Sequence, residues 1–404
     1  MTLVRHQAEK IYRKFAGHQR RYIAVDSRAS AFVYFGSKYS FRYQLEEWLP
    51  ALDHLSREVA THLIFRDLKT YLFFKQTTEL PCWLAPDIGS VEELLGQSSK
   101  AAVLYVNQDR QNFPVLRNPR PLHILLNHGE SDKSFSFTNQ VKAYDFVFIS
   151  GKMGERRLTD HVRFFDPGRA IHVGRPPLAA TGTLPPKPSH SVPVVLYAPT
   201  WEGDRLSAQY SSLLSHGVAL VDHILSSGNF ILRFRPHPLL GTRDPAYAKA
   251  RRHVEKLVRK ASSQPGLMNH ASHGTQGYRQ ALSSADHVIS DISSVFFDAM
   301  ALDRDCVYCL PATDGPRLPE SGAMTDQRFI LPSDSVNSHL SFLDNQSVDE
   351  RLAARAEWGP EYFPSPDVND HRNIFVSEVV RLLSRDAGNS STIWPPGEGN
   401  PPAK

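Results

Sequence analysis

The sequence predicts an α/β protein made of two successive strand-and-helix units, and three observations carry the prediction. Short apolar, β-branched or aromatic runs alternate with amphipathic stretches from about residue 31 to 310, the pattern of parallel sheets wrapped by helices. The alternation breaks once, at a stretch rich in Pro, Thr and Ser over 179–193, which reads as a linker. The chain is 404 residues long, too many for one ordinary core and enough for two.

In the first series the predicted strands are Ala31–Phe35, His62–Phe65, Ala101–Val106, Leu122–Leu126, Phe146–Ile149 and Ile171–Val173, with a helix over Tyr43–Leu55. After the linker come strands at Val194–Tyr197, Phe230–Phe234, His287–Ile289 and Cys306–Leu310. Helices are expected over Ser211–Leu225, Ala246–Lys260, Tyr278–Ser284 and Val295–Leu302. The expected division is an N-terminal domain over 1–178, the linker 179–193 and a second domain over 194–359. A Pro-rich connection and final helix follow over 360–385, then a disordered tail over 386–404.

Composition narrows the function classes. Hydrophobic residues at 41% and charged residues at 22% fit a globular protein, and a formal charge of +4 is too small to point to nucleic acid, while it suits acidic substrates. No apolar run reaches eighteen residues and no signal-peptide pattern opens the chain, so a cytoplasmic location is expected. Leu3 to Tyr22 has helical apolar spacing among Arg5, Lys10, Arg13, Lys14, Arg20 and Arg21. Such a helix either rests on an anionic membrane surface, which would make the protein peripheral on the inner face of the plasma membrane, or docks on its own domain. Cys82, Cys306 and Cys309 are too few for a disulfide framework. Cys306 and Cys309, three apart on a predicted strand, face opposite sides and read as core residues.

Phosphate-loop, dinucleotide and zincin signatures are absent. Four polar clusters instead follow predicted strands, where α/β sheets bind ligands. His128-Gly129-Glu130-Ser131-Asp132-Lys133 offers an imidazole for proton transfer and a lysine for phosphate, or simply a turn. Tyr197-Ala198-Pro199-Thr200-Trp201 places Thr200 at a strand end, with Trp201 more readily a core plug than an aromatic wall. In Arg233-Phe234-Arg235-Pro236-His237-Pro238 the prolines stiffen the loop and fix the direction of Arg235 and His237, or make it a rigid connector. Ser290-Asp291-Ile292-Ser293-Ser294 opens a helix, with Asp291 or a serine as N-cap and an anion site at the helix start; Asp298, one turn on, reads as a helix-surface carboxylate.

Taken in order, HGx3K, YAPTW, RPHP and SDxSS resemble the CDP-glycerol glycerophosphotransferase family of teichoic acid and capsule polymer synthesis, most clearly over about residues 100–310. The resemblance implies two facing Rossmann-like domains, glycosyltransferase-B-like. It also implies a CDP-linked polyol donor, a polymer or lipid-linked acceptor, and release of CMP. It makes His128 and His237 the catalytic residues and Lys133, Thr200, Arg235, Asp291, Ser293 and Ser294 the donor-binding ones. No metal and no cofactor is expected. The chain departs from the family's HGTPLK at 130–132 and from its GxPRxD segment at Gly174-Arg175-Pro176-Pro177-Leu178, to which no role is carried over. Glu202 stands where the family often has a basic residue. Alternatives are a nucleotide-sugar-dependent glycosyltransferase of the same fold and a non-catalytic scaffold in a wall-assembly complex.

Overall fold

The computed structural model describes residues 29–129, 138–179, 192–263, 271–272, 277–310, 320–331 and 340–385. Lys133, the basic segment Leu3–Tyr22, nearly all of the linker and the tail beyond 385 lie outside the described residues. The protein is α/β with two parallel sheets, as predicted.

The first series runs β1 (Ala29–Phe35), α1 (Tyr43–Leu55), β2 (Ala60–Phe65), α2 (Leu68–Thr77), β3 (Cys82–Leu84), α3 (Ile88–Leu95) and β4 (Lys100–Tyr105). It continues with α4 (Phe113–Leu116), β5 (Leu122–Leu125), β6 (Phe146–Ile149), α5 (Lys152–His161) and β7 (Ala170–His172). These strands form one sheet in the order β3-β2-β1-β4-β5-β6-β7. β3 has no sequence signal because three residues are too few to show a period. Its neighbours mark it as an edge, where Trp83 Nε1 reaches His62 Nδ1 at 3.3 Å.

The second series runs β8 (Val194–Ala198), α6 (Val218–Ser227), β9 (Ile231–Phe234), α7 (Pro245–Ser262), β10 (Ala271–Ser272), α8 (Tyr278–Ser283) and β11 (His287–Asp291). Then come α9 (Ser294–Ala301), β12 (Asp305–Cys309), β13 (Ile330–Leu331), α10 (Asn345–Tyr362) and α11 (Val368–Arg385). The strand order β10-β9-β8-β11-β12-β13 reverses between β8 and β11, which makes their carboxyl ends a topological switch point.

The second sheet is covered on both faces, as a parallel sheet requires. Leu196, Ala198, Val288, Cys306 and Tyr308 pack on one side with Phe296, Phe297 and Met300 of α9. Val195, Tyr197, Ile289, Val307 and Cys309 pack on the other with Leu220, Val221 and Ile224 of α6. Cys306 and Cys309 thus enter opposite cores, and burial pushes both thiols well above their ordinary range. Every residue of β8 is buried, which explains its unbroken apolar run.

The chain forms two compact units. The first takes Met1–Leu126, Ala143–Phe146 and Ile374–Lys404, and the second Asn127–Lys142 and Val147–Asn373, in so far as their residues are described. Asn127–Lys142, in so far as it is described, belongs to the second unit, so His128 and His237 lie in the same unit. In the first unit, Phe375 of α11 packs against Trp48 of α1 at a centroid distance of 5.4 Å. The region read from sequence as a Pro-rich connection is helical through Tyr362, with Pro360 inside α10.

Candidate active site

The segment after β9 runs alongside the segment after β8. The Arg235 N–H donates to the Tyr197 carbonyl at 2.9 Å and the His237 N–H to the Pro199 carbonyl at 3.0 Å. Pro236 and Pro238 occupy the alternate positions, where this pairing needs no donor, so two prolines cost no ladder bond. His237 is turned by the same loop: its Nδ1 accepts the Leu239 N–H at 3.1 Å. A neutral ring with an accepting Nδ1 carries its proton on Nε2, so His237 presents a donor. Trp201 stacks on that ring at 6.2 Å and 22°, while Arg243 lies 5.7 Å from the indole. Trp201 is half-buried: it packs against the core on the α6 side of the sheet, as expected, and also walls His237.

Two predicted ligands serve the scaffold. Asp291 is the last residue of β11 rather than a cap, and it is fully buried. Its oxygens accept the N–H groups of Thr200 at 2.7 Å and Ser212 at 3.1 Å, locking the turn after β8 to the switch point. Thr200 itself is buried. Ser212 begins a π-helical turn, Leu213–Gly217, where sequence predicts plain α-helix. The turn lets Gly217 pass under Tyr197, whose hydroxyl would lie 2.2 Å from a β-carbon there. Burial, with the charge of Asp291 adding, pushes the Tyr197 phenol well above its ordinary value and keeps it a neutral partner of Ser212 Oγ at 2.8 Å. Glu202 is likewise architectural: it is buried and accepts the N–H groups of Gly241, Arg243 and Asp244 at 2.8, 2.9 and 3.2 Å.

Ser293 is the N-cap of α9, with no side-chain capping bond, and its buried Oγ makes no hydrogen bond. Ser211 Oγ, beside the Ser212 anchor, is buried and unpaired as well. The first N–H groups of a helix have no partner within it, and its dipole is positive there, so this end suits an anion.

The His128 turn sits on that same helix start. Asn127, in the left-handed region at φ 57°, bends the chain after β5, a conformation asparagine tolerates better than most residues. His128 is exposed. A β-carbon on Gly129 would lie 2.7 Å from Ser294 Cβ and 2.9 Å from Ser294 Oγ, so the backbone approach needs glycine.

Behind this contact lies a network that motif reading missed. Arg175, directly after β7, is buried and its Nε donates to Asp298 Oδ1 at 2.5 Å. The Tyr278 hydroxyl donates to Asp298 Oδ2 at 2.7 Å, and Arg235 lies 5.5 Å from the Tyr278 ring centroid. Asp298 is therefore a buried ion-pair partner, not a surface carboxylate. The available signal was the position of Gly174-Arg175 at a strand end.

Two parallel sheets flanked by helices, with polar loops at the switch point and a helix start suited to an anion, give the chain a glycosyltransferase-B-like fold. Residues 180–356 match the model of the family described as CDP-Glycerol:Poly(glycerophosphate) glycerophosphotransferase, and over that stretch the chain is similar to that family. The match includes the Tyr197, Arg235 and Ser293 clusters and begins after the His128 turn.

No curated protein matches the sequence. Among solved structures, the wall teichoic acid polymerase TagF, in a variant soaked with CDPG, is 14% identical with a TM-score of 0.55, covering 95% of this chain and 97% of that one. UDP-GlcNAc 2-epimerase from Neisseria meningitidis is 10% identical with a TM-score of 0.55, covering 88% and 100%. A glycosyltransferase from Rickettsia africae is 11% identical with a TM-score of 0.52, covering 90% and 100%. At these identities the likeness is one of fold. Among the described residues no helix is long and apolar enough to cross a membrane.

Proposed function

We propose that this enzyme transfers glycerol phosphate from CDP-glycerol to a hydroxyl of a teichoic-acid-like or capsular polymer, or of its lipid-linked primer, with release of CMP. The observation that carries the reading is the Gly129–Ser294 approach, which seats the His128 turn on the helix start best suited to a diphosphate. His128 takes the proton of the acceptor hydroxyl as its oxygen bonds to the donor's β-phosphorus. The bond from that phosphorus to the bridging oxygen breaks, and its electron pair leaves on CMP. His237, a donor at Nε2, hydrogen-bonds the departing oxygen. The N–H groups of α9, the Ser293 and Ser294 hydroxyls and Arg235 hold the diphosphate charge, the main task in phosphoryl transfer. An unpaired buried hydroxyl costs about 1–3 kcal/mol, so a phosphate oxygen at Ser293 Oγ would be stabilised.

The donor soaked into the TagF variant agrees with this choice of substrate. The acceptor being polymeric or lipid-linked, the basic segment Leu3 to Tyr22 is proposed to rest on an anionic membrane surface, testable by vesicle sedimentation with that segment removed.

The test is CMP release from CDP-glycerol, with CDP-ribitol and nucleotide sugars as comparison donors. His128→Ala and His237→Ala are expected to lower kcat by roughly 10²- to 10⁴-fold. Equal CMP release by the wild type and both variants refutes the catalytic assignment. Turnover of a nucleotide sugar in place of CDP-glycerol establishes the glycosyltransferase alternative.

A further inference from the structure

Three strand-end segments meet at the start of α9, and only two of them have a role so far. The third is Gly174-Arg175 after β7. Its backbone is tightly held: Gly174 has φ +70° and leaves no room for a β-carbon, which would lie 2.3 Å from His371 Cγ. The Arg175 N–H donates to His371 Nδ1 at 3.1 Å, and the other ring nitrogen of buried His371 bonds the Ser365 carbonyl at 2.8 Å. With its main chain fixed, Arg175 sends its side chain to Asp298, one turn into α9, and Nη2 lies 3.9 Å from where a Gly129 β-carbon would be. The same guanidinium therefore touches the helix that carries Ser293 and Ser294 and reaches the turn that carries His128.

We infer that Arg175, paired with Asp298, whose other oxygen Tyr278 holds, is a positioning residue: it sets the His128–Gly129 turn against the α9 start at the spacing the transfer requires. The inference rests on the proposed function for its chemistry and on the geometry for its mechanics. An arginine suits the task because its planar fork bonds a carboxylate through one edge and leaves the rest of the group directed elsewhere. A buried charge pair has two defined members and resists gradual drift, so it fixes a register that apolar packing would leave looser. Tyr278 ties the device to the donor loop, since its hydroxyl bonds Asp298 while its ring lies under Arg235.

The test uses the full chain with Arg175→Met, Arg175→Lys and the double variant Arg175→Met/Asp298→Asn. Stranding the Asp298 carboxylate can unfold the single variant; the double variant removes both charges and keeps the measurement available. CDP-glycerol affinity is measured by calorimetry, turnover by CMP release, and the His128 imidazole by NMR of histidine-labelled protein without donor. The expected result is a kcat lower by about 10²-fold, from a displacement near 1 Å, with donor Kd within threefold of wild type. The His128 resonance is expected to shift in both charge-free variants, and Arg175→Lys to recover part of kcat. Wild-type kcat and an unmoved His128 resonance in the folded double variant overturn the inference, and so does a kcat loss matched by an equal loss of donor affinity. If wild-type protein does not turn over CDP-glycerol, the proposed function fails; the His128 resonance then decides the positioning role on its own.

Discussion

Replacing Gly129 by alanine isolates the contact on which the proposed site depends. The added β-carbon would stand 2.7 Å from Ser294 Cβ, against an optimal carbon separation of about 3.5–4.0 Å. Ser294 Cβ is fixed to the first residue of α9 and cannot rotate away, so relief requires the turn to withdraw by about 1 Å. A displacement of that size at a proton-transferring group costs roughly 10²-fold in rate, or about 2.7 kcal/mol of transition-state stabilisation. The assay is CMP release at saturating CDP-glycerol, with urea unfolding run alongside to separate a shifted turn from a damaged fold. Ser294→Gly removes the opposing β-carbon. Because Ser294→Gly also removes a hydroxyl assigned to the diphosphate, the double variant Gly129→Ala/Ser294→Gly should lose less than the two single losses combined, a coupling that independent sites would not show. Undiminished kcat in folded Gly129→Ala, or strict additivity in the cycle, would refute the reasoning.

Other expectations concern the scaffold. Asp291→Ala leaves two buried N–H groups, those of Thr200 and Ser212, without an acceptor, and is expected to cost roughly 2–6 kcal/mol in urea unfolding. Asp305 is buried, which raises its pKa, but hydrogen bonds from Arg351 and His287 outweigh burial and hold the carboxyl below its ordinary value. Its contribution to stability is therefore full above about pH 4, the unfolded value, and is lost as pH falls through the depressed folded value. Arg351→Met removes the largest opposing influence, so burial dominates, the folded pKa rises above the unfolded one, and stability falls as pH climbs through that raised value. At neutral pH that variant is expected to lose about 3–5 kcal/mol, measured by urea unfolding across pH; a pH slope unchanged from wild type contradicts the assignment.

Much of the fold was legible because helix-covered parallel strands must be apolar on both faces. Val194–Tyr197 and Cys306–Leu310 therefore stand out as runs, within a residue of the strands Val194–Ala198 and Asp305–Cys309, and Tyr43–Leu55 appears with the bounds it has in the structure. Short edge strands, Cys82–Leu84 and Ile330–Leu331, were invisible, since two or three residues carry no period and their pairing comes from a neighbour. The π-helical turn at Leu213–Gly217 was invisible too, because its Gly217 lies against the Tyr197 hydroxyl, twenty residues earlier in the chain.

The polar clusters were legible as strand-end punctuation: glycines, prolines and serines that follow apolar runs locate the ends of strands before any contact is known. Sequence alone thus determined the α/β class, the existence of two strand series, and the neighbourhoods of His128, Thr200, Arg235, His237 and Ser293. It could not determine which way each side chain faces. Asp291 looks like a ligand group along the chain and Glu202 like a mere departure from a basic position, yet tertiary structure turns both onto backbone N–H groups, because buried donors without a partner must find one. Arg175 and Asp298, 123 residues apart, become a pair only when β7 ends beside α9. Tertiary structure decided those matters, since burial and long-range pairing depend on distances that no local pattern of residues contains.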